Sequence, residues 1–170
     1  VVLMEYWLQA PFPVEINIPR SAVMEILRIG VEPISLQVCE TSVTFHYPDK
    51  QWLKTQLYST AWPDLGKVFD RPSTQAPIPA GLWDALEDLR PFTNKLNQVH
   101  FFDGKVSTSL ESDETGASSE VPGLQARAVF NLDYLLKLKG AAETIDLSAY
   151  PKPCMFFGDN VRGAIIGMRA

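Results

Sequence analysis

Long apolar runs are missing from this 170-residue sequence. Its most hydrophobic stretches, Val1 to Met4 and Ala164 to Met168, fall far short of the roughly 20 residues that cross a bilayer, so no membrane segment is expected. No basic segment followed by an apolar run reads as a signal peptide, and a cytoplasmic location is the expectation. Cysteine is scarce: Cys39 and Cys154 stand alone, without C-x-x-C or Cys/His spacing, and read as buried reduced thiols in strand-like segments. Excess positive charge is also absent. A formal net charge of -5 excludes a surface coated with nucleic-acid-binding cations, although it leaves room for one basic face.

Catalytic patterns are lacking too. His46 and His100 fall in separate strand-like runs with no nucleophile elbow near either, and they read as structural or surface residues. Glu111, Asp113 and Glu114 lie in a polar loop without the ligand spacing of an EF-hand and read as solvated. Trp7, Trp52, Trp62 and Trp83 are too scattered for a base-stacking platform and are expected to anchor the core. The sequence therefore points to no enzyme, no cofactor and no metal site.

What is present suits a chain with a sizeable core: 46% of residues are hydrophobic and 21% charged. The segments VVLMEYWLQ and Val14 to Ile18 read as strands. Pro19 opens a short amphipathic helix, RSAVMEILRI, which Gly30 stops. Strands are expected in SLQVCE, SVTFHYPD and QWLKTQLYS. Pro63, Pro72, Pro77 and Pro79 mark a linker over about 63–79, and a domain boundary is placed near residue 72. A second helix, GLWDALEDLR, puts Leu82, Leu86 and Leu89 on one face. Asp103-Gly104 turns a hairpin, and a polar loop runs from Asp113 to Glu120. The strand LQARAVF, the helix NLDYLLKLK ending at Gly140, and strands in ETIDLS, CMFFGD and RGAIIGMR complete the chain.

A repeat is visible within the sequence. INIPRSAVMEILRIG followed by ISLQVCE matches RAVFNLDYLLKLKG followed by TIDLSAY, with Met24 and Leu136 equivalent and an offset of about 112 residues. Such a period implies a duplicated domain. Residues 1–72 then hold the second half of one copy plus a linker, and residues 73–170 a complete copy, in an α+β class with antiparallel sheets.

The order of these segments resembles the bacterial sliding clamp, the DNA polymerase III beta-subunit family. Its C-terminal portion shows a proline-arginine helix start, three strands, a phenylalanine-proline-aspartate turn, a phenylalanine-asparagine helix start with a following tyrosine, and a methionine-proline-methionine-arginine tail. The matching residues are Pro19-Arg20, Trp62-Pro63-Asp64, Phe130-Asn131 with Tyr134, and Ile166-Gly167-Met168-Arg169 before Ala170. Ile166, Gly167 and Ala170 depart from the family pattern, which suggests a phage or prophage version with altered partner specificity.

The resemblance implies a DNA-clamp fold, with antiparallel sheets outside and short helices on the inner face. It implies a homo-oligomeric ring that encircles duplex DNA without sequence preference and tethers its partners, DNA polymerase and clamp loader, through their short linear motifs. Arg20, Arg28, Lys95, Lys137 and Lys139 would face DNA phosphates. An apolar peptide-binding cleft would be lined by Pro63, Lys67, Val68, Asn131, Tyr134, Pro151, Ile166, Met168 and Arg169. A clamp-like decoy or regulator that binds replication proteins without encircling DNA is the alternative reading, and an uncharacterised α+β enzyme a third.

Overall fold

The computed structural model describes residues 1–7, 14–61, 63–109 and 116–169. Trp62, Glu111, Asp113, Glu114 and Ala170 lie outside the described residues. In chain order the elements are β1 (Val2–Tyr6), α1 (Arg20–Ile29), β2 (Ser35–Val38), β3 (Ser42–His46), β4 (Trp52–Gln56), α2 (Gly66–Phe69) and β5 (Ala76–Pro77). They continue with α3 (Leu82–Leu89), β6 (Gln98–Phe102), β7 (Lys105–Ser107), β8 (Ser118–Glu120), β9 (Ala128–Asn131), α4 (Leu132–Leu136), β10 (Thr144–Ile145), β11 (Cys154–Gly158) and β12 (Val161–Ile165). The class is α+β, all strand pairs are antiparallel, and the chain forms two compact units, Val1–Gln9 with Leu65–Ala170 and Ala10–Asp64.

One pattern recurs three times: an extended leading segment, a helix, then a three-stranded antiparallel meander. In the Ala10–Asp64 unit it runs through residues 14–18, α1 and the sheet β2-β3-β4. In the larger unit it appears as β5, α3 and β6-β7-β8, and again as β9, α4 and β10-β11-β12. The sequence repeat covers the first and third modules. The middle one escapes sequence comparison because part of its meander is the polar run Ser118–Glu120, read as loop but paired as β8 against Lys105–Ser107.

Within the larger unit the two modules exchange leading strands. Thr144 and Ile145 of β10 pair with Pro77 and Ala76 of β5, while β6 pairs with β9 from Gln98↔Asn131 to Phe101↔Ala128. Two sheets result, β1-β12-β11-β10-β5 and β8-β7-β6-β9. They share one core with α3 and α4, in which Leu86, Phe130, Leu132, Leu138 and Phe156 are fully buried. The Phe130 ring meets Phe101 at 5.5 Å and Tyr150 edge-on at 6.0 Å. The β6–β7 hairpin turns as expected because Asp103 (φ 48°) and Gly104 (φ 76°) both adopt the left-handed conformation of a two-residue turn.

In the smaller unit α1 begins after Pro19 (φ −59°) and ends at Gly30. A φ of 68° there lets the Gly30 N–H reach the Ile26 carbonyl at 3.3 Å. Ile16, Ile18, Ile26, Ile29, Leu36 and Leu53 pack around buried Val43, Phe45 and Tyr47.

Several local expectations are corrected. Among the described residues Val14 to Ile18 forms no strand; the Asn17 carbonyl accepts the Tyr58 N–H at 2.9 Å. The proline-rich stretch 63–79 contains α2 and β5; Pro63, Pro72 and Pro79 lie outside these elements, and Pro77 ends the two-residue edge strand β5. LQARAVF is strand only from Ala128, and NLDYLLKLK is helical only to Leu136. Cys39 follows the end of edge strand β2 and is exposed, whereas Cys154 in β11 is buried. Trp7 and Trp52 are also exposed, the latter on β4 at the edge of its sheet, so neither anchors the core. Among the described residues, no helix is long and apolar enough to cross a membrane, and no group of three or more His, Cys, Asp or Glu could hold a metal.

Candidate functional site

Apart from Pro63, the residues expected to bind partner peptides fall into two groups within the larger unit, joined by the C-terminal tail. The first lies on the face of the five-stranded sheet opposite the main core. There Val68 of α2 packs with Leu65, Phe69, Met155 and Ala164, against Leu3 of β1 and Phe157 of β11. The ladder sets this arrangement: Leu3 faces Ala164, Ala164 faces Met155, and the neighbouring Val2, Ile165, Cys154 and Phe156 turn to the main core. Ile166 continues the alternation from Ala164; its N–H donates to the Val1 carbonyl at 3.0 Å and its side chain is exposed. Lys67 is exposed on α2, and its carbonyl accepts the Arg71 guanidinium at 3.1 Å.

The second group surrounds the start of α4. Asn131 caps this helix: its Oδ1 accepts the Tyr134 N–H at 3.1 Å, and its Nδ2 donates to the Leu96 carbonyl at 2.9 Å. Tyr134 stands exposed, with the Lys137 ammonium 4.9 Å from its ring centroid. Asn131, Tyr134 and Lys137 line a shallow depression of about 520 Å³ with Arg90, Asp133 and Leu136. Asp133 ties it together, accepting from Arg90 at 3.2 Å and from Asn97 at 2.7 Å.

The tail links the groups. The Met168 N–H donates to the Val129 carbonyl at 2.7 Å, two residues before Asn131, and the Met168 carbonyl accepts the Tyr150 hydroxyl at 2.6 Å. Pro151 is exposed directly after Tyr150, and Arg169 is exposed after Met168. Gly167 is required here, because an added Cβ would lie 2.5 Å from the Tyr150 ring. Pro63 belongs to the smaller unit, where it lines a groove of about 1160 Å³ with residues 14–18 and 57–61. Leu3, Ala164 and Met155 carry no local sequence signal for this patch. Strand alternation brings them together only through the pairing of β1 with β12 and of β12 with β11.

The cations expected to face DNA are all exposed, but their partners differ. Arg28 donates twice to Glu25, at 2.8 and 2.6 Å, and this bond raises its pKa while lowering that of Glu25. Lys139 donates to Glu87 of α3 at 2.7 Å, and that contact holds its pKa above the ordinary lysine value. Among the described residues, Arg20 and Lys95 form no ion pair. The exposed side of α3 carries Asp84, Glu87 and Asp88, so the helix face of the larger unit mixes both signs. Such a face attracts phosphates weakly and releases them readily in salt.

His46 pairs with Trp52 at the end of β3. His100 is buried in β6 with its Nδ1 lacking a hydrogen-bond partner, and burial pushes its pKa below the usual value.

No family model matches the chain, and no curated protein does. Solved structures do match. The chain is similar to the DnaN sliding clamp (DNA polymerase III subunit beta) of Pseudomonas aeruginosa bound to griselimycin, at 18% identity and a TM-score of 0.76, covering 99% of this chain and 52% of that one. It is similar also to the C. crescentus beta sliding clamp, at 19% identity and a TM-score of 0.79 with 99% and 52% covered. The DNA polymerase III beta chain of Streptococcus pneumoniae gives 18% identity and a TM-score of 0.77 over the same shares. The chain has the sliding-clamp fold and spans about half the length of the clamps it matches.

Proposed function

We propose that the chain works as a clamp-type processivity scaffold in DNA replication. In this reading it corresponds to the C-terminal portion of a clamp, in a phage or prophage version, with residues 1–72 completing a middle domain and 73–170 forming the last one. The observation that carries the reading is the sliding-clamp fold over 99% of the chain. A closed ring holds DNA by topology, so its inner face needs only weak phosphate attraction, which is the character of a face where Lys139 stands beside Glu87 and Asp84. Arg20, Arg28, Lys95 and Lys137 are read as further contacts to duplex DNA.

Polymerase and clamp loader would be held through short linear motifs. An apolar anchor residue would settle on Val68, Leu3 and Ile166, and polar groups near Asn131, Tyr134 and Arg169 would orient the motif backbone. Lys67, Pro151 and Met168 complete the proposed lining.

The test combines titration of a fluorescent clamp-binding peptide with retention on circular duplex DNA. Peptide binding that Val68→Asp and Ile166→Asp each weaken at least tenfold, together with retention on circles that linearisation abolishes, is the expected result. Absence of both would overturn the reading. Peptide binding without retention would support the decoy or regulator, which the paired cations Arg28 and Lys139 favour.

A further inference from the structure

The apolar patch read as the anchor site is bordered by α2, and α2 is too short to hold its own shape. Its four residues close a single turn, in which the Val68 and Phe69 N–H groups donate to the Leu65 carbonyl and the Asp70 N–H to Gly66. One turn of helix is unstable without tertiary support. The segment that follows is pinned at Thr74, whose N–H donates to the buried Asp146 carboxylate at 2.8 Å. The side chain that pins α2 itself is Arg162.

Arg162 is the one charged residue in the paired strands Cys154–Gly158 and Val161–Ile165. Strand alternation puts it on the same sheet face as Ala164, with Glu5 of β1 directly opposite on one side and Phe157 of β11 on the other. Its Nε donates to Glu5 at 2.8 Å, in a pair whose side chains are 29% and 32% exposed. The guanidinium carbon lies 5.0 Å from the Phe69 ring centroid and 5.3 Å from that of Trp7, and Nη1 is 4.0 Å from the Asp70 carboxylate. One side chain therefore ties β12 to β1 through Glu5 and Trp7, and to α2 through Phe69 and Asp70. A fully exposed ion pair would contribute little. This one is partly sheltered, and a planar guanidinium can serve a carboxylate and aromatic rings at once, which an ammonium cannot. Phe69 is buried next to Val68 in the same apolar cluster, so the position of its ring fixes Val68 against Leu3 and Ala164.

We propose that Arg162 positions α2 over the sheet and thereby sets which anchor side chains the patch of Val68, Leu3 and Ile166 accepts. It is a positioning residue: its guanidinium is committed to Glu5 and two rings, and it acts on a bound peptide through Val68. The positioning of α2 stands on these contacts alone, whereas the choice of anchor rests on the peptide-binding reading above.

Hydrogen exchange and peptide titration test the two parts separately. Each ring contact is worth a few-fold in a local opening equilibrium, so the Val68, Phe69 and Asp70 amides should exchange at least about fivefold faster in Arg162→Lys. The amides of Leu138 and Ala142, bonded within the main core, should keep their rates. Phe69→Leu, which removes one ring and keeps an apolar side chain, should reproduce the effect from the α2 side. In titrations with a fluorescent clamp-binding peptide carrying leucine or tryptophan at its anchor, the native chain should prefer leucine. That preference should shrink at least threefold in both variants, because a loosened α2 admits the larger ring. Unchanged α2 exchange in Arg162→Lys overturns the proposal. So does equal acceleration of the core amides, which would make Arg162 a global stabiliser, and so does equal weakening of both peptides with the preference kept, which would make it a direct contact. Binding of neither peptide by the native chain would sink the peptide-binding reading and the choice of anchor with it, while faster α2 exchange would still uphold the positioning of α2.

Discussion

Tyr150→Phe separates the tail's hydrogen bond from the core packing beneath it. The hydroxyl donates to the Met168 carbonyl at 2.6 Å, at the short end for such bonds, while the ring packs on Phe130 with centroids 6.0 Å apart. The substitution deletes the first contact and keeps the second. Met168 is only partly buried, so water can replace the lost donor and the full penalty of an orphaned carbonyl is avoided. The expected cost is about 1 kcal/mol, against the roughly 3–5 kcal/mol that a large-to-small change at Phe130 would cost. For a unit of this size that is a fall of roughly 4 °C in Tm. Urea unfolding gives the free energy, and hydrogen exchange at the Met168 amide, which bonds to Val129, reports whether the tail has loosened. A loss above about 3 kcal/mol would refute the separation of tail from core. Unchanged Met168 exchange would show that the hydroxyl does not hold the tail.

Two further outcomes follow from the titratable groups. Burial lowers the pKa of His100 below its ordinary 6.5, so the unfolded chain binds that proton more readily. The stability tied to His100 is therefore fully present above about pH 6.5 and is lost as pH falls through it, at a slope of at most about 1.4 kcal/mol per pH unit. Urea midpoints at pH 7.5, 6 and 5 should fall more steeply for the native chain than for His100→Leu, and parallel curves would refute the assignment. For the thiols, one equivalent of an aromatic disulfide reagent should react at pH 8 in the folded chain, from exposed Cys39. Cys154 is buried, with its pKa pushed up to about 12, and should react only on unfolding; two fast thiols, or a fast thiol persisting in Cys39→Ser, would contradict this.

Elements whose local chemistry and tertiary role agree could be read from the sequence. Pro19 and Gly30 bracket α1, Leu82, Leu86 and Leu89 face the core from α3, and Asp103-Gly104 turns its hairpin, because each signal is short-range. Where pairing across the chain decides the outcome, the sequence is silent. Ser118–Glu120 carries no apolar pattern and is a strand only because Lys105–Ser107 lies beside it. Trp52 looks like a core residue by composition, yet it sits on an edge strand facing outward. The candidate site divides in the same way. Asn131 and Tyr134 are candidates only through the helix-start motif of the resemblance, whereas Leu3 and Ala164 depend on a pairing between residues more than 150 positions apart.

The exchange of leading strands between β5 and β9 bears on how the larger unit assembles. Neither of its modules owns a finished sheet: β10 must find Ala76 and Pro77 far upstream, and β6 must wait for β9. Loops of this span close slowly, so the rate-limiting event should be a concerted docking of both modules, with no half-folded species that is stable alone. Severing the chain between them would leave two pieces that fold only in each other's company.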